Sequence, residues 1–127
     1  MDKALYVGIG GFIGSVLRYW VSGAVQQLAN NPSFPFGTLT VNLAGCLVIG
    51  FLSQLADLRG VITPEARLFV FVGILGGFTT FSTFGNETMN FLRDAENLTA
   101  LLNIGLHIFA GLGAVWLGRS IAYWVWR

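Results

Sequence analysis

Charge is what this chain has least of. Asp, Glu, Lys and Arg together make up 10% of its 127 residues and leave a net charge of +1. An ordinary soluble domain carries roughly 25% charged residues. There is no basic run and no basic helix face, so nothing here would draw nucleic acid. A single cysteine, Cys46, cannot close an intrachain disulfide. It stands in an apolar run and reads as a small buried hydrophobe. There is one histidine, His107, and no zinc or haem spacing. Paired carboxylates, a Ser-His-Asp set and a phosphate loop are all missing, so the chain carries no catalytic constellation and is not read as an enzyme. Gly8-Ile9-Gly10-Gly11-Phe12-Ile13-Gly14 is glycine-rich but does not fit G-x-G-x-x-G.

What is present is apolar surface. Hydrophobic residues make up 54% of the chain, with a mean hydropathy of +0.69. This describes an integral membrane protein of one domain, residues 1–127. Four segments reach the ~20 residues that a spanning helix needs. They run from about Ala4 to Leu28, Gly37 to Ala56, Ala66 to Leu92 and Thr99 to Trp126. The first is longer than a signal-peptide apolar core of roughly 7–15 residues, and Arg18 interrupts it. Asn30-Asn31-Pro32-Ser33-Phe34-Pro35 is a turn cluster, and Thr63-Pro64 predicts an N-cap followed by proline at the first helical position. Trp116, Tyr123, Trp124 and Trp126 suit an interfacial belt. Seventeen glycines suit close helix packing, and Gly10 and Gly14 form a G-x-x-x-G pair. Four crossings put both termini on one side with Lys3, Arg59, Arg67, Arg119 and Arg127. Positive-inside reasoning alone makes that side cytoplasmic.

The third segment contradicts itself. Gly76-Gly77 and the hydroxyls of Thr79, Thr80, Ser82 and Thr83 are poor helix material, yet they sit at membrane depth. Irregular backbone there is tolerated only when buried in protein or lining a watery cavity, and such breaks commonly form ion or substrate sites. Several side chains therefore carry two readings. Arg18 either snorkels or faces protein or water, where it would draw an anion into a vestibule. Asn42 is helix–helix glue or a site residue. Phe81 and Phe84, three apart, share a face; they are packing, or their positive ring edges meet an anion. Glu87 is protonated, paired with an arginine, or interfacial. Asn103 and His107 share a face (i, i+4) as a structural pair or a polar pore lining.

These residues together form a pattern. The chain resembles the Fluc or CrcB fluoride channel family over nearly its whole length: four segments, Arg18, Gly37-Thr38-Leu39 with Val41-Asn42, and above all Gly76-Gly77-Phe78-Thr79-Thr80-Phe81-Ser82-Thr83-Phe84. The resemblance implies an all-α, four-transmembrane-helix bundle with a broken third helix, assembled as an antiparallel homodimer in the cell membrane. It implies two pores per dimer that pass fluoride. Asn42, Phe81 and Phe84 would be the pore asparagine and phenylalanines, with Ser82 and Thr83 near the ion path. The backbone carbonyls of Gly76 and Thr79 from both copies would hold a structural sodium ion. Asn103 and His107 match half of a polar track, whereas Gly111 and Val115 stand where hydroxyl residues are usual. The rivals are a small proton-coupled multidrug or cation exporter and a non-conducting subunit. The exporter would want a carboxylate in its first helix, and this chain has none beyond Asp2. The non-conducting subunit leaves the hydroxyl-rich break without a purpose.

Overall fold

The computed structural model describes residues 2–127, and its secondary structure there is entirely helical. Helix α1 spans Lys3–Ala29 and α2 spans Phe36–Arg59. Residues 64–78 form α3 and Phe81–Arg93 forms α4. Helix α5 spans Asn97–Trp126. Counting α3 and α4 as the one span Pro64–Arg93, four helices are long and apolar enough to cross a membrane. Most run slightly past the apolar segments and take in Lys3, Arg59 and Arg93. Long basic side chains permit this because their heads reach the interface while their stems stay apolar.

The helix ends follow from their residues. Asp2 accepts the Ala4 N–H at 3.3 Å and starts α1. Asn30, at φ 46°, ends it. Gln26 then braces the corner into α2. Its Nε2 donates to the carbonyls of Asn31 (2.9 Å) and Phe34 (3.0 Å), and its Oε1 accepts the Gly37 N–H at 3.1 Å. Gly60, at φ 58°, closes α2 in the left-handed conformation that glycine adopts without strain. Thr63 caps α3 by accepting the Ala66 N–H at 3.1 Å, with Pro64 at the first position, as its sequence predicts.

Packing is backbone against backbone. A Cβ on Gly10 would overlap the carbonyl oxygen of Phe69, and one on Gly14 that of Ile74, so α1 lies directly on α3. Gly50 and Gly118 play the same part between α2 and α5, against the carbonyls of Val115 and Leu47. The α3 stretch Leu68–Leu75 winds as a π-helix beneath α1, and so does Leu106–Ala110 within α5. Only Leu39, Val41, Leu75, Ala100 and Ala122 are buried apolar side chains among the described residues. Large residues such as Phe12, Trp20, Phe109 and Trp116 face outward, as expected where the solvent is hydrocarbon.

Candidate functional site

Between α3 and α4 the helical hydrogen-bond pattern stops at two residues. Thr79 (φ −91°, ψ 158°) and Thr80 (φ −150°, ψ 110°) are extended. The hydroxyls that disfavour helix here also resolve the interruption. Thr80 Oγ1 caps α4 by accepting the Thr83 N–H at 3.2 Å, and donates to Thr83 Oγ1 at 2.9 Å. Thr79 turns its hydroxyl back onto the Leu75 carbonyl at 3.0 Å.

The part-buried peptide group of Thr80 is claimed by Asn42 from α2. Asn42 Oδ1 accepts the Thr80 N–H at 2.8 Å, and Asn42 Nδ2 donates to the Thr80 carbonyl at 3.1 Å. One side-chain amide thus satisfies both polar atoms of a mid-membrane residue outside any helix, which hydrocarbon alone would leave several kcal/mol out of pocket. The second N–H of Asn42 meets His107 Nε2 at 3.0 Å. His107 Nδ1 lies 2.9 Å from the Asn103 carbonyl. A carbonyl only accepts, so Nδ1 bears the proton and Nε2 is the acceptor for Asn42. His107 is therefore the neutral Nδ1–H tautomer in this arrangement.

These groups line a cavity of about 400 Å³ with Gly45, Cys46, Gly76, Thr79, Thr80, Phe81 and Phe84. The Phe81 and Phe84 ring centroids are 5.4 Å apart, and Phe84 lies 4.3 Å from the His107 ring. Phe81 is 83% exposed on the single chain. Cys46 is half-buried on the cavity wall rather than sealed in a core. A second hollow, of about 310 Å³, lies on the other side of the break. Arg18, Ser15, Ser22, Thr38, Thr80 and Thr83 line it. Arg18 makes no ion pair there among the described residues. Thr80 lines both hollows and so lies between them.

The remaining sequence candidates fall around this pair of hollows. Ser82 and Thr83 are exposed near the start of α4. Asn103 is fully buried and donates to Thr88 Oγ1 at 3.0 Å; its side chain is not on the cavity wall, although its carbonyl orients His107. Glu87 accepts from Thr38 Oγ1 at 2.7 Å and, among the described residues, pairs with no arginine. Its Oε2 and Asn103 Oδ1 are buried without a partner among the described residues. Gly111 sits close to Cys46, and the Val115 backbone abuts Gly50, so both lie in the α2–α5 seam. Sequence reasoning missed the Thr80 peptide as the partner of Asn42, and it missed Thr88. The usable signal was an amide in one apolar segment and a helix-poor stretch in the next.

The Gly76 and Thr79 carbonyls are released by the same geometry. In a continuous helix Gly76 would accept from the Thr80 N–H and Thr79 from the Thr83 N–H. Those donors are instead given to Asn42 Oδ1 and Thr80 Oγ1. Two carbonyl oxygens without their helical donors fit the hard-oxygen ligands that a small cation prefers.

Comparison with known proteins agrees with this architecture. The family described as CrcB-like protein, Camphor Resistance (CrcB), matches residues 5–119. The protein named fluoride-specific ion channel FluC from Methylobacillus flagellatus is 45% identical over 121 residues, covering 95% of this chain and 94% of its own length. The namesake from Chlorobium chlorochromatii is 45% identical over 128 residues, covering 98% of both chains. That from Shewanella amazonensis is 45% identical over 123 residues, covering 97% of this chain and 98% of its own. With four apolar spans in one chain and a match from end to end, the protein is a multi-pass membrane protein of the CrcB family.

Proposed function

We propose that this chain is a fluoride-selective channel that lets fluoride leave the cell passively, acting as an antiparallel homodimer with two pores. The observation that carries the reading is the Asn42–Thr80–His107 cluster. It sets polar donors and two phenylalanine rings around an open cavity at membrane depth, beside a hollow that holds Arg18.

Fluoride is small and strongly hydrated, so a pore must replace its water with donors. Asn42 brings an amide, Ser82 and Thr83 bring hydroxyls, and Phe81 and Phe84 bring ring edges that carry partial positive charge without a fixed cation. Arg18 raises the local anion concentration at the mouth. Asn103 holds His107 through its carbonyl, and His107 holds Asn42. The wide opening of the cavity and the exposure of Phe81 favour a partner subunit over lipid, which cannot satisfy these polar groups. An identical, inverted copy would bring the Gly76 and Thr79 carbonyls to a shared axis. A sodium ion bound by them would supply positive charge that offsets the passage of anions through a low-dielectric region.

Fluoride efflux from liposomes containing the purified protein tests the reading. Fluoride passes and chloride does not if it is right. Vesicles no more permeable to fluoride than protein-free controls would overturn it. A proton-coupled exporter of organic cations would instead show substrate-driven proton movement without fluoride flux.

A further inference from the structure

We infer that Asn42 and His107 are the two halves of a proton-dependent binding site for a small anion, in which Asn42 Nδ2–H and a protonated His107 Nε2–H donate to the same ion. The inference rests on the reading that this cavity lies on the conduction path.

The geometry fixes which atoms face each other. The Asn42 amide cannot flip, because Oδ1 and Nδ2 each match one atom of the Thr80 peptide. A flipped amide would set donor against donor and acceptor against acceptor at both contacts. The imidazole cannot flip either, because its Nδ1–H is held by the Asn103 carbonyl. A proton taken up by His107 can therefore go only to Nε2, where it meets an Asn42 N–H across the 3.0 Å contact. Two donors aimed at each other require an acceptor between them. A single anion supplies it and also neutralises the imidazolium, so the protonated pair and its ion together add no net charge to the cavity. The two nitrogens must part to admit the ion, and they part least for the smallest one. Fluoride is thus favoured over chloride by the same movement.

Few other groups compete. From α2 the cavity receives Cys46, the one other titratable side chain on its wall among the described residues. From α3 it receives Phe71, Leu75 and Gly76, from the extended pair Thr79 and Thr80, and from α4 Phe81 and Phe84. Glu87, one turn beyond Phe84, lines a different hollow, where it is bound to Thr38. In the absence of a proton, Asn42 and His107 satisfy each other and the anion must displace that bond. With the proton, the anion completes the pair.

His107 is the only histidine in the chain, so its titration can be followed without assignment. Tag-free protein carrying isotope-labelled histidine is reconstituted in micelles, and the imidazole resonances are recorded against pH in sodium fluoride and in sodium chloride. Linkage is reciprocal. Fluoride bound about tenfold more tightly to the protonated form raises the titration midpoint by about one pH unit, the scale of one charge-assisted hydrogen bond. Asn42→Ala should abolish that rise, whereas Cys46→Ala and Glu87→Gln should retain it. In liposome flux the half-saturating fluoride concentration should fall about tenfold as His107 protonates. Protein-free vesicles correct for hydrogen fluoride crossing the lipid. His107→Gln should show no such pH step, whatever its absolute flux. An equal midpoint in fluoride and chloride overturns the inference on the wild-type protein alone, and so does an unchanged pH step in His107→Gln. A wild-type protein that passes no fluoride at any pH overturns the channel reading instead.

Discussion

Replacing Asn42 with Asp separates the two jobs that its amide performs. The substitution is nearly isosteric. One carboxylate oxygen can still accept the Thr80 N–H, which Asn42 Oδ1 now does at 2.8 Å. Both donors are lost, leaving the Thr80 carbonyl and His107 Nε2 each without the N–H that it accepts. A fixed negative charge also enters the cavity. At about 4 Å and an effective dielectric constant of about 20, it repels a passing anion by about 4 kcal/mol. That corresponds to an occupancy about a thousandfold lower. Allowing for screening by water in an open cavity, fluoride flux at neutral pH should fall by at least about a hundredfold. The subunit should still assemble, because the Thr80 N–H keeps its acceptor. A fluoride electrode reads efflux from liposomes, and size-exclusion elution in detergent reads assembly. Flux within about threefold of wild type, at equal protein content, would refute both the donor role and the placement of Asn42 on the ion path. Asn42→Ala makes the comparison: it removes all three hydrogen bonds. At ~0.6 kcal/mol each on average and ~1.7 at most in membranes, their loss costs about 2–5 kcal/mol. It should weaken folding as well as flux.

Phe81→Ile and Phe84→Ile keep an apolar side chain and remove the ring edge. Each should strongly reduce fluoride efflux while the detergent-purified protein elutes from size exclusion as the wild type does, and normal efflux in both would remove the ring-edge role. Gly14→Ala drives a methyl into the Ile74 carbonyl, a backbone atom that cannot swing aside, whereas a methyl at Gly8 meets nothing within 4 Å. Thermal unfolding in detergent should show Gly14→Ala losing about 1–3 kcal/mol and Gly8→Ala holding or gaining up to about 1 kcal/mol. Thr80→Ala removes the cap of α4 and should cost about 1 kcal/mol by the same measurement. For assembly, a tandem fusion with an extra crossing helix that inverts the second copy should conduct, and a direct fusion that holds the copies parallel should not. The reverse result would sink the antiparallel dimer.

The ends of the spans were legible because hydropathy and capping chemistry are local. Thr63-Pro64 predicts a helix start and makes one, and the apolar segments lie within the observed helices. The cap at Thr80 is local in the same way: its hydroxyl reaches the Thr83 N–H three residues on. The partner of the freed peptide was not legible. Asn42 and Thr80 are far apart in sequence, and nothing in a one-dimensional pattern distinguishes an amide that glues two helices from one that pairs with a single peptide group. The i, i+4 pairing of Asn103 with His107 was correct as spacing. It did not reveal that the contact runs through the Asn103 carbonyl while the side chain turns to Thr88. The π-helical turns leave no sequence signature that hydropathy resolves, because they change winding without changing polarity.

The interruption at Thr79 and Thr80 does one thing more. Where a helix stops and another starts, the carbonyl-rich end of α3 abuts the amide-rich end of α4. Aligned peptide dipoles give such ends the equivalent of roughly half a negative and half a positive charge. Two opposite polarities thus stand a few residues apart in the middle of a span, one congenial to a cation and the other to an anion, although Gly76 to Phe84 contains no ionisable side chain. A buried lysine and aspartate could create a similar field only at a heavy desolvation cost, and they would lose it at the extremes of pH. Peptide groups do not titrate. The field at the break is therefore the same in acid and in alkali, and any proton sensitivity of the protein must enter through side chains around it.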